Sequence, residues 1–446
     1  MNDQFDDMES LQSQIAAISD YISRGITQSC GRCIGLELEH FIVKKGSHEY
    51  VPYLEDPLTG RPGVQSVLER LRPCYSGTVY EPQPDGSQAL IGLSRKQAAI
   101  TLEPGAQFEI SIGPVFDISD LEALYHEFRG ELDPILDDFG FELIWLGYHP
   151  SICASDIPLL PKYRYRFMDE YFRDTGRHGI CMMRATASTQ VSIDFSSEED
   201  AISKFRIAHA LSPLLAFICD NSPVFELEPV GSGKMSKTGL PVPTRMARTT
   251  VWNDVDAARS MTTPDTFKEG FSFETYAFHA LQAPAIFSVE YDSDGNKVSV
   301  KRPGSSMAEV YAGRDLDKSA IEHILSLLFY DVRFKTYIEI RAADSLPIAY
   351  AWSLAAFLKG LFYDKNTVAL LSDRFSGISA EDVAVAKHEL SINAFEAVVY
   401  GRRAEDFLNE LMKLAEASLP DYELCYLEPI QSLIATKSTL VDRLRK

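Results

Sequence analysis

The chain has 446 residues, is 45% hydrophobic and 24% charged, and carries a formal net charge of −21. That acidity argues against nucleic acid and anionic membrane surfaces as partners, because both recruit clustered Lys and Arg. The length allows one large domain or two to three ordinary ones. With no linker or low-complexity tract, a single domain over 1–446 is expected, with an N-terminal helix in 1–29 and a helical segment in 366–446.

The first seven residues, MNDQFDD, lack the basic and apolar regions of a signal peptide and the Arg-richness of a transit peptide. The best apolar run, Ala349 to Phe362, is interrupted by Lys359. A cytoplasmic location is expected. Leu11, Ile15, Ile18 and Ile22 then mark an amphipathic helix. Seven scattered cysteines argue against a disulfide framework. Cys30-Gly-Arg-Cys33 lacks the second pair that a metal site needs, and two reduced thiols are favoured over a redox switch. In Ile34–His40, Glu37 and Glu39 share one strand face, and His40 points the other way, as a packed or partly exposed histidine would.

Residues 55–84 are rich in Pro and Gly and loop around a helix from Gln65 to Leu71. Pro104-Gly105 is turn chemistry. After it Gln107, Glu109 and Ser111 alternate with Phe108, Ile110 and Ile112, giving one apolar face and one face with a carboxylate between two hydrogen-bonding side chains. A strand that only packed a sheet would not need Glu109, because Glu is disfavoured in strands. Leu121, Leu124, Phe128, Leu132 and Ile135 mark a long helix, and Glu142 to Gly147 reads as a strand. A third polar face carries Thr186, Ser188, Gln190, Ser192 and Asp194. Ser196 with Glu199 has capping-box spacing and opens a helix through Ala201, Phe205, Ala208 and Leu215.

Residues 228–244 and 292–306 read as surface loops. Gly231-Ser-Gly-Lys234 resembles a phosphate loop, but Glu228 and Met235 stand where that pattern needs Gly and Ser or Thr. Any nucleotide site is therefore of another type. Ile321, Ile324, Leu325 and Leu328 mark a helix before a fourth polar face, Tyr337, Glu339 and Arg341. Pro347 precedes an apolar helix to Phe362, and helices from Ala380 and Ala404 finish the chain.

For any one of these strands, a solvated sheet face is the simpler reading. Four together point to one cavity. Two carboxylates 4 Å apart repel by roughly 4 kcal/mol at an effective dielectric near 20, so such a cavity needs cations. Oxygen ligands favour Mg²⁺ or Mn²⁺ over zinc, and Mg²⁺ commonly shares its shell with phosphate.

The run Thr101-Leu-Glu-Pro-Gly-Ala-Gln-Phe-Glu-Ile-Ser111 resembles the signature of glutamate–cysteine ligases of the plant and proteobacterial type. These belong to the glutamine-synthetase-like carboxylate–amine ligases. Gly35-Leu-Glu-Leu-Glu39, residues 156–165, 182–195 and 196–206, Arg248-Thr-Thr-Val-Trp-Asn-Asp254 and residues 337–344 are similar to the same family, in order over roughly 30–365. The resemblance implies an α+β fold with a curved, mainly antiparallel sheet and helices outside. It implies ATP-dependent joining of the γ-carboxylate of L-glutamate to the amine of L-cysteine through a γ-glutamyl phosphate, the first step of glutathione biosynthesis. Glu37, Gln190 and Glu339 would hold one Mg²⁺ or Mn²⁺, and Glu39, Glu103 and Glu109 others. Glu339 and Arg341 would be catalytic, with Arg341 steadying the transferring phosphate. Arg248, Gln107 and Tyr276 would bind substrate. Departures near His279, Ile286 and residues 150–153 leave another amine acceptor as an alternative. A non-catalytic Mg-nucleotide-binding regulatory protein is a separate one, weighed against by the presence of every carboxylate expected for catalysis. A monomer or homodimer acting on small molecules is expected.

Overall fold

The computed structural model describes residues 2–28, 31–291 and 297–445. Its main sheet has nine strands, numbered here in chain order: β1 (Ile34–Lys44), β2 (Gly77–Pro82), β3 (Gln88–Arg95), β4 (Ala98–Leu102), β5 (Phe108–Val115), β6 (Phe141–Ile144), β7 (Ser188–Ile193), β8 (Val332–Phe334) and β9 (Ile338–Asp344). Their spatial order is β8–β9–β7–β1–β5–β4–β3–β2, with β6 paired to the far half of β1. Every pairing in this sheet is antiparallel. The architecture is the expected α+β class, an antiparallel sheet with helices packed outside it.

Period-2 alternation explains why the sheet has two unlike faces. Leu36 and Leu38 of β1, Phe108, Ile110 and Ile112 of β5, Val191 and Ile193 of β7, and Ile338 and Ile340 of β9 are all buried. Helices Ile118–Phe139, Glu198–Ile218 and Ile348–Tyr363 pack against these strands. Burial of each such side chain contributes about 1.5–3 kcal/mol. A one-residue slip would exchange Leu36 and Leu38 for Glu37 and Glu39 in that layer, so the register is strongly fixed. One continuous core runs from Ile18 of the first helix, Asn2–Gln28, to Leu440 near the end of the chain.

Several local expectations shift. Ser197, not Ser196, caps helix Glu198–Ile218: its backbone is extended and its hydroxyl accepts from Asp200 N at 3.1 Å. That helix is the one described helix long and apolar enough to cross a membrane, yet 89% of its most apolar stretch is buried inside the protein. Lys297–Lys301 pairs with Phe287–Tyr291 as a two-stranded ribbon rather than forming a loop, while residues 292–296 lie outside the described residues. Cys33 is disulfide-bonded, which overturns its reading as a reduced thiol, and Cys30 lies outside the described residues. Helices Ala380–Asn393 and Ala404–Ser418 begin where expected.

Candidate active site

The antiparallel register assembles the polar faces. Glu37 stands opposite Gln190 on β7 and Ser111 on β5. Glu39 stands opposite Glu109, Glu109 opposite Thr101, and Glu339 opposite Ser192. Opposed Cβ atoms in such ladders lie about 4.5–5.5 Å apart. Glu37, Glu39, Glu109, Gln190, Glu339 and Arg341 therefore share one side of the sheet. The register of β9 against β7 breaks between Ile340 and Ala343. Bulges of this kind re-aim a side chain, here Arg341.

One end of this floor is cationic. Glu339 is fully buried, and Arg333 lies directly across from it on β8. Arg333 Nε donates to Glu339 Oε2 at 2.7 Å, Arg341 Nη1 to the same oxygen at 2.8 Å, and Lys335 Nζ lies 2.6 Å from Oε1. Burial pushes the Glu339 carboxyl up, but Arg333, Lys335 and Arg341 outweigh it and hold the group well below the usual carboxylate range. Its charge is thus already met. Glu339, expected as a metal ligand, here anchors three cations, because β8 carries Arg333 and leads directly into Lys335. Gln190 is likewise occupied: its Nε2 donates to Glu39 Oε1 at 2.9 Å, and its Oε1 accepts from Arg341 Nη1.

The other end is over-supplied with negative charge. Glu39 accepts from Ser188 N at 2.7 Å and Ser188 Oγ at 3.0 Å. Burial first, then Glu103, raise its carboxyl to about 7 against Arg248 and Arg341. Glu109 accepts from the Thr101 hydroxyl at 2.5 Å, yet burial and the charges of Glu37, Glu103 and Glu39 push it well above its usual value. Glu37 is also raised, by burial and then by Glu339. Buried carboxylates that raise one another fit a hard divalent cation with oxygen ligands. Among the described residues, no three Asp, Glu, His or Cys side chains already converge as a finished metal cage. Glu37, Glu39, Glu103 and Glu109 are the donors available to such an ion.

Two cavities flank the floor. The larger, about 500 Å³, is lined by Glu37, Ala99, Ser111, Ser192, Thr336 and Tyr337, and has the size of a nucleotide or drug-sized ligand site. The smaller is lined by Glu39, Glu103, Gln107, Thr186, Arg248 and Arg341, with an apolar wall that includes Met182 and Trp252. Arg248 is buried on helix Ala247–Trp252, and its guanidinium lies 5.6 Å from the Trp252 ring centre. Its Nη1 reaches Ala342 O at 3.5 Å, and its Nε has no hydrogen-bond partner. A buried donor left unmade costs about 1–3 kcal/mol, and a carboxylate would satisfy it.

Two expected substrate residues stand in different surroundings. Gln107 lines the smaller cavity, but Gly105 N donates to its Oε1 at 2.7 Å and its Nε2 donates to Thr186 O at 2.8 Å. It shapes the wall with both amide ends in use. Tyr276 lines neither cavity. It is fully buried on helix Phe273–Gln282, packed on Phe205 and Phe334, and its hydroxyl accepts from Phe334 N at 3.2 Å. Sequence alone did not say which side of that helix faces the core. His279 pairs with Asp265 at 3.1 Å, and Ile286 is buried, so neither departure lies at these cavities. Sequence reasoning missed Arg333 and Lys335, although they continue the alternation that ends in Tyr337, Glu339 and Arg341.

A carboxylate-rich antiparallel floor, buttressed by guanidiniums and set between two cavities, fits the class of carboxylate–amine ligases. Residues 33–441 match the model of glutamate-cysteine ligase family 2, and the chain belongs to that family. It is 30% identical over 365 residues to the chloroplastic glutamate–cysteine ligase B of Oryza sativa subsp. japonica, covering 80% of this chain and 70% of that one. The chloroplastic enzyme of Medicago truncatula is 27% identical over 435 residues, covering 95% and 80%. A solved glutamate–cysteine ligase of Francisella tularensis in complex with AMP aligns over 92% of this chain and 84% of that one, with TM-score 0.48 and 13% identity.

Proposed function

We propose that this chain is an ATP-dependent ligase joining the γ-carboxylate of L-glutamate to the amine of L-cysteine, with divalent metal on the carboxylate end of its floor. A carboxylate resists amines because oxide is a poor leaving group. In the first step a γ-carboxylate oxygen bonds to the γ-phosphorus of ATP while the bond to ADP breaks. In the second the amine nitrogen bonds to the acyl carbon, the carbon–oxygen bond to phosphate breaks, and the amine gives its proton to water. Both steps need fixed reactants and positive charge where negative charge develops.

The position of Arg341 carries this reading. Its guanidinium lines the smaller cavity and binds Gln190 and Glu339 on the floor that runs to Glu37 in the larger one. Nucleotide in the larger cavity would direct its phosphates toward Glu37 and Lys335, and Arg341 would steady the transferring group. The free Nε of Arg248 would pair with a carboxylate of glutamate. Glu37, Glu39, Glu103 and Glu109 would hold Mg²⁺ or Mn²⁺, which when bound neutralises polyphosphate charge. The test is ADP release from Mg-ATP and glutamate against a panel of amines. L-cysteine should exceed every other amine by a wide margin. Preference for another amine would replace the acceptor, and no ADP release with any amine by folded protein would overturn the ligase reading.

A further inference from the structure

Asp331 sits at the entry to β8, and its backbone carbonyl accepts from Arg341 N at 2.9 Å. That bond falls inside the stretch where β9 loses register with β7. The neighbouring hold on the stretch is Arg248 Nη1 on Ala342 O. The backbone that aims Arg341 thus rests on Asp331 and Arg248. The Asp331 carboxylate is itself fixed: Lys387 Nζ lies 2.5 Å from Oδ2, and Ser212 Oγ donates to the same oxygen at 3.2 Å. Lys387 comes from helix Ala380–Asn393, on the last fifth of the chain, and is only 5% exposed. With Asp331, Arg248, Arg341 and Trp252 it lines a small cavity behind the site. A lysine is seldom buried unless paired. Here the pairing satisfies the one carboxylate on this cavity, which leaves both guanidiniums free of it.

We propose that Lys387, by holding Asp331, is a positioning residue for Arg341 and Arg248, so that the C-terminal helical segment helps to build the active site. Without the ammonium, Asp331 would turn toward Arg248 and Arg341, which line the same cavity and which the substrate carboxylate and the phosphoryl group need. This rests on the ligase reading, and wild-type turnover is the control that separates the two: if the wild type releases no ADP, that reading fails first.

Steady-state kinetics on folded K387M, K387R and the double variant D331N/K387M test the proposal. K387M should lose on the order of tenfold in kcat and raise KM for glutamate, with KM for ATP within about twofold of wild type. K387R should regain most of the loss. D331N/K387M, which removes the competing carboxylate but keeps the backbone bond to Arg341, should recover more than half of wild-type kcat. If K387M does not fold, K387Q, which removes the charge but keeps a donor, should show the same pattern in kcat and glutamate KM with a smaller loss, and no change in either would overturn the proposal. Unchanged kcat and glutamate KM would overturn the proposal. So would a loss that includes ATP affinity equally, or a double variant no better than the single one, because these mark a merely structural lysine.

Discussion

Glu39 closes an alternation of Leu and Glu on β1, and its carboxyl is raised to about 7 by burial and by Glu103. A carboxyl raised on folding keeps a proton that the unfolded chain has released near its ordinary value of 4.5. Stability therefore falls as pH rises from about 4.5 through 7, and the full penalty of roughly 3 kcal/mol stands above it. Glu39→Gln should flatten that decline and raise the melting temperature at pH 8 above that of wild type. Millimolar Mg²⁺ should raise the wild-type melting temperature at pH 8 more than that of the variant. Melts across pH with and without Mg²⁺ check both, and a variant no more stable than wild type at pH 8 would refute the assignment. Tyr276 gives the opposite kind of prediction. Its hydroxyl serves only Phe334 N, so Tyr276→Phe should cost about 1 kcal/mol in denaturant melts and leave KM for glutamate, cysteine and ATP unchanged. A raised KM would return Tyr276 to the substrate site.

At the scale of elements, the turn between β4 and β5 places Glu103 on one side and Glu109 on the other. Pro104-Gly105 is legible as a turn, but the reason for the glycine is not. The left-handed backbone falls on Ala106, with φ of 64°, rather than on Gly105. What Gly105 provides is close approach: a Cβ there would meet Arg184 O at 2.1 Å. Arg184 cannot yield easily, since its guanidinium pairs with Asp169 at 2.7 Å and donates to Ile157 O at 2.8 Å. Gly105→Ala should therefore lower stability by about 2 kcal/mol or more in urea unfolding. Displacement of Glu103 and Glu109 should lower turnover with it. Wild-type stability for this variant would show that the contact is soft.

Across the whole molecule, the last eighty residues complete both the core and the site. Helix Ile348–Tyr363 is covered by helices Ala404–Ser418 and Glu428–Ala435, and Gly360 passes so close that a Cβ would meet the Ala415 backbone at 2.7 Å. Lys359 Nζ lies 2.7 Å from the buried Glu423 carboxylate, which also accepts from Ile118 N at 2.9 Å. A chain ending at Asp364 would expose the apolar helix and remove the Glu423 carboxylate from Lys359. It should be recovered aggregated, and a soluble, monodisperse product in size-exclusion chromatography would contradict this.

The sequence by itself determined the alternations. Leu against Glu in β1, Ile against Glu in β5 and β9, and Val against Gln in β7 are period-2 patterns that dictate strands with one apolar and one polar face. It also determined the family, through long motifs that name Glu37, Glu39, Glu103, Glu109, Gln190, Arg248 and Arg341. Only the tertiary structure decided which charges meet. Strand order is a long-range property, so nothing local said that Glu39 would stand across from Glu109, or that Lys387, more than fifty residues later in the chain, would reach Asp331. The same limit hid the inward face of Tyr276. Whether a carboxylate serves a metal or a guanidinium depends on the neighbours that folding delivers, and those come from strands and helices far apart in sequence.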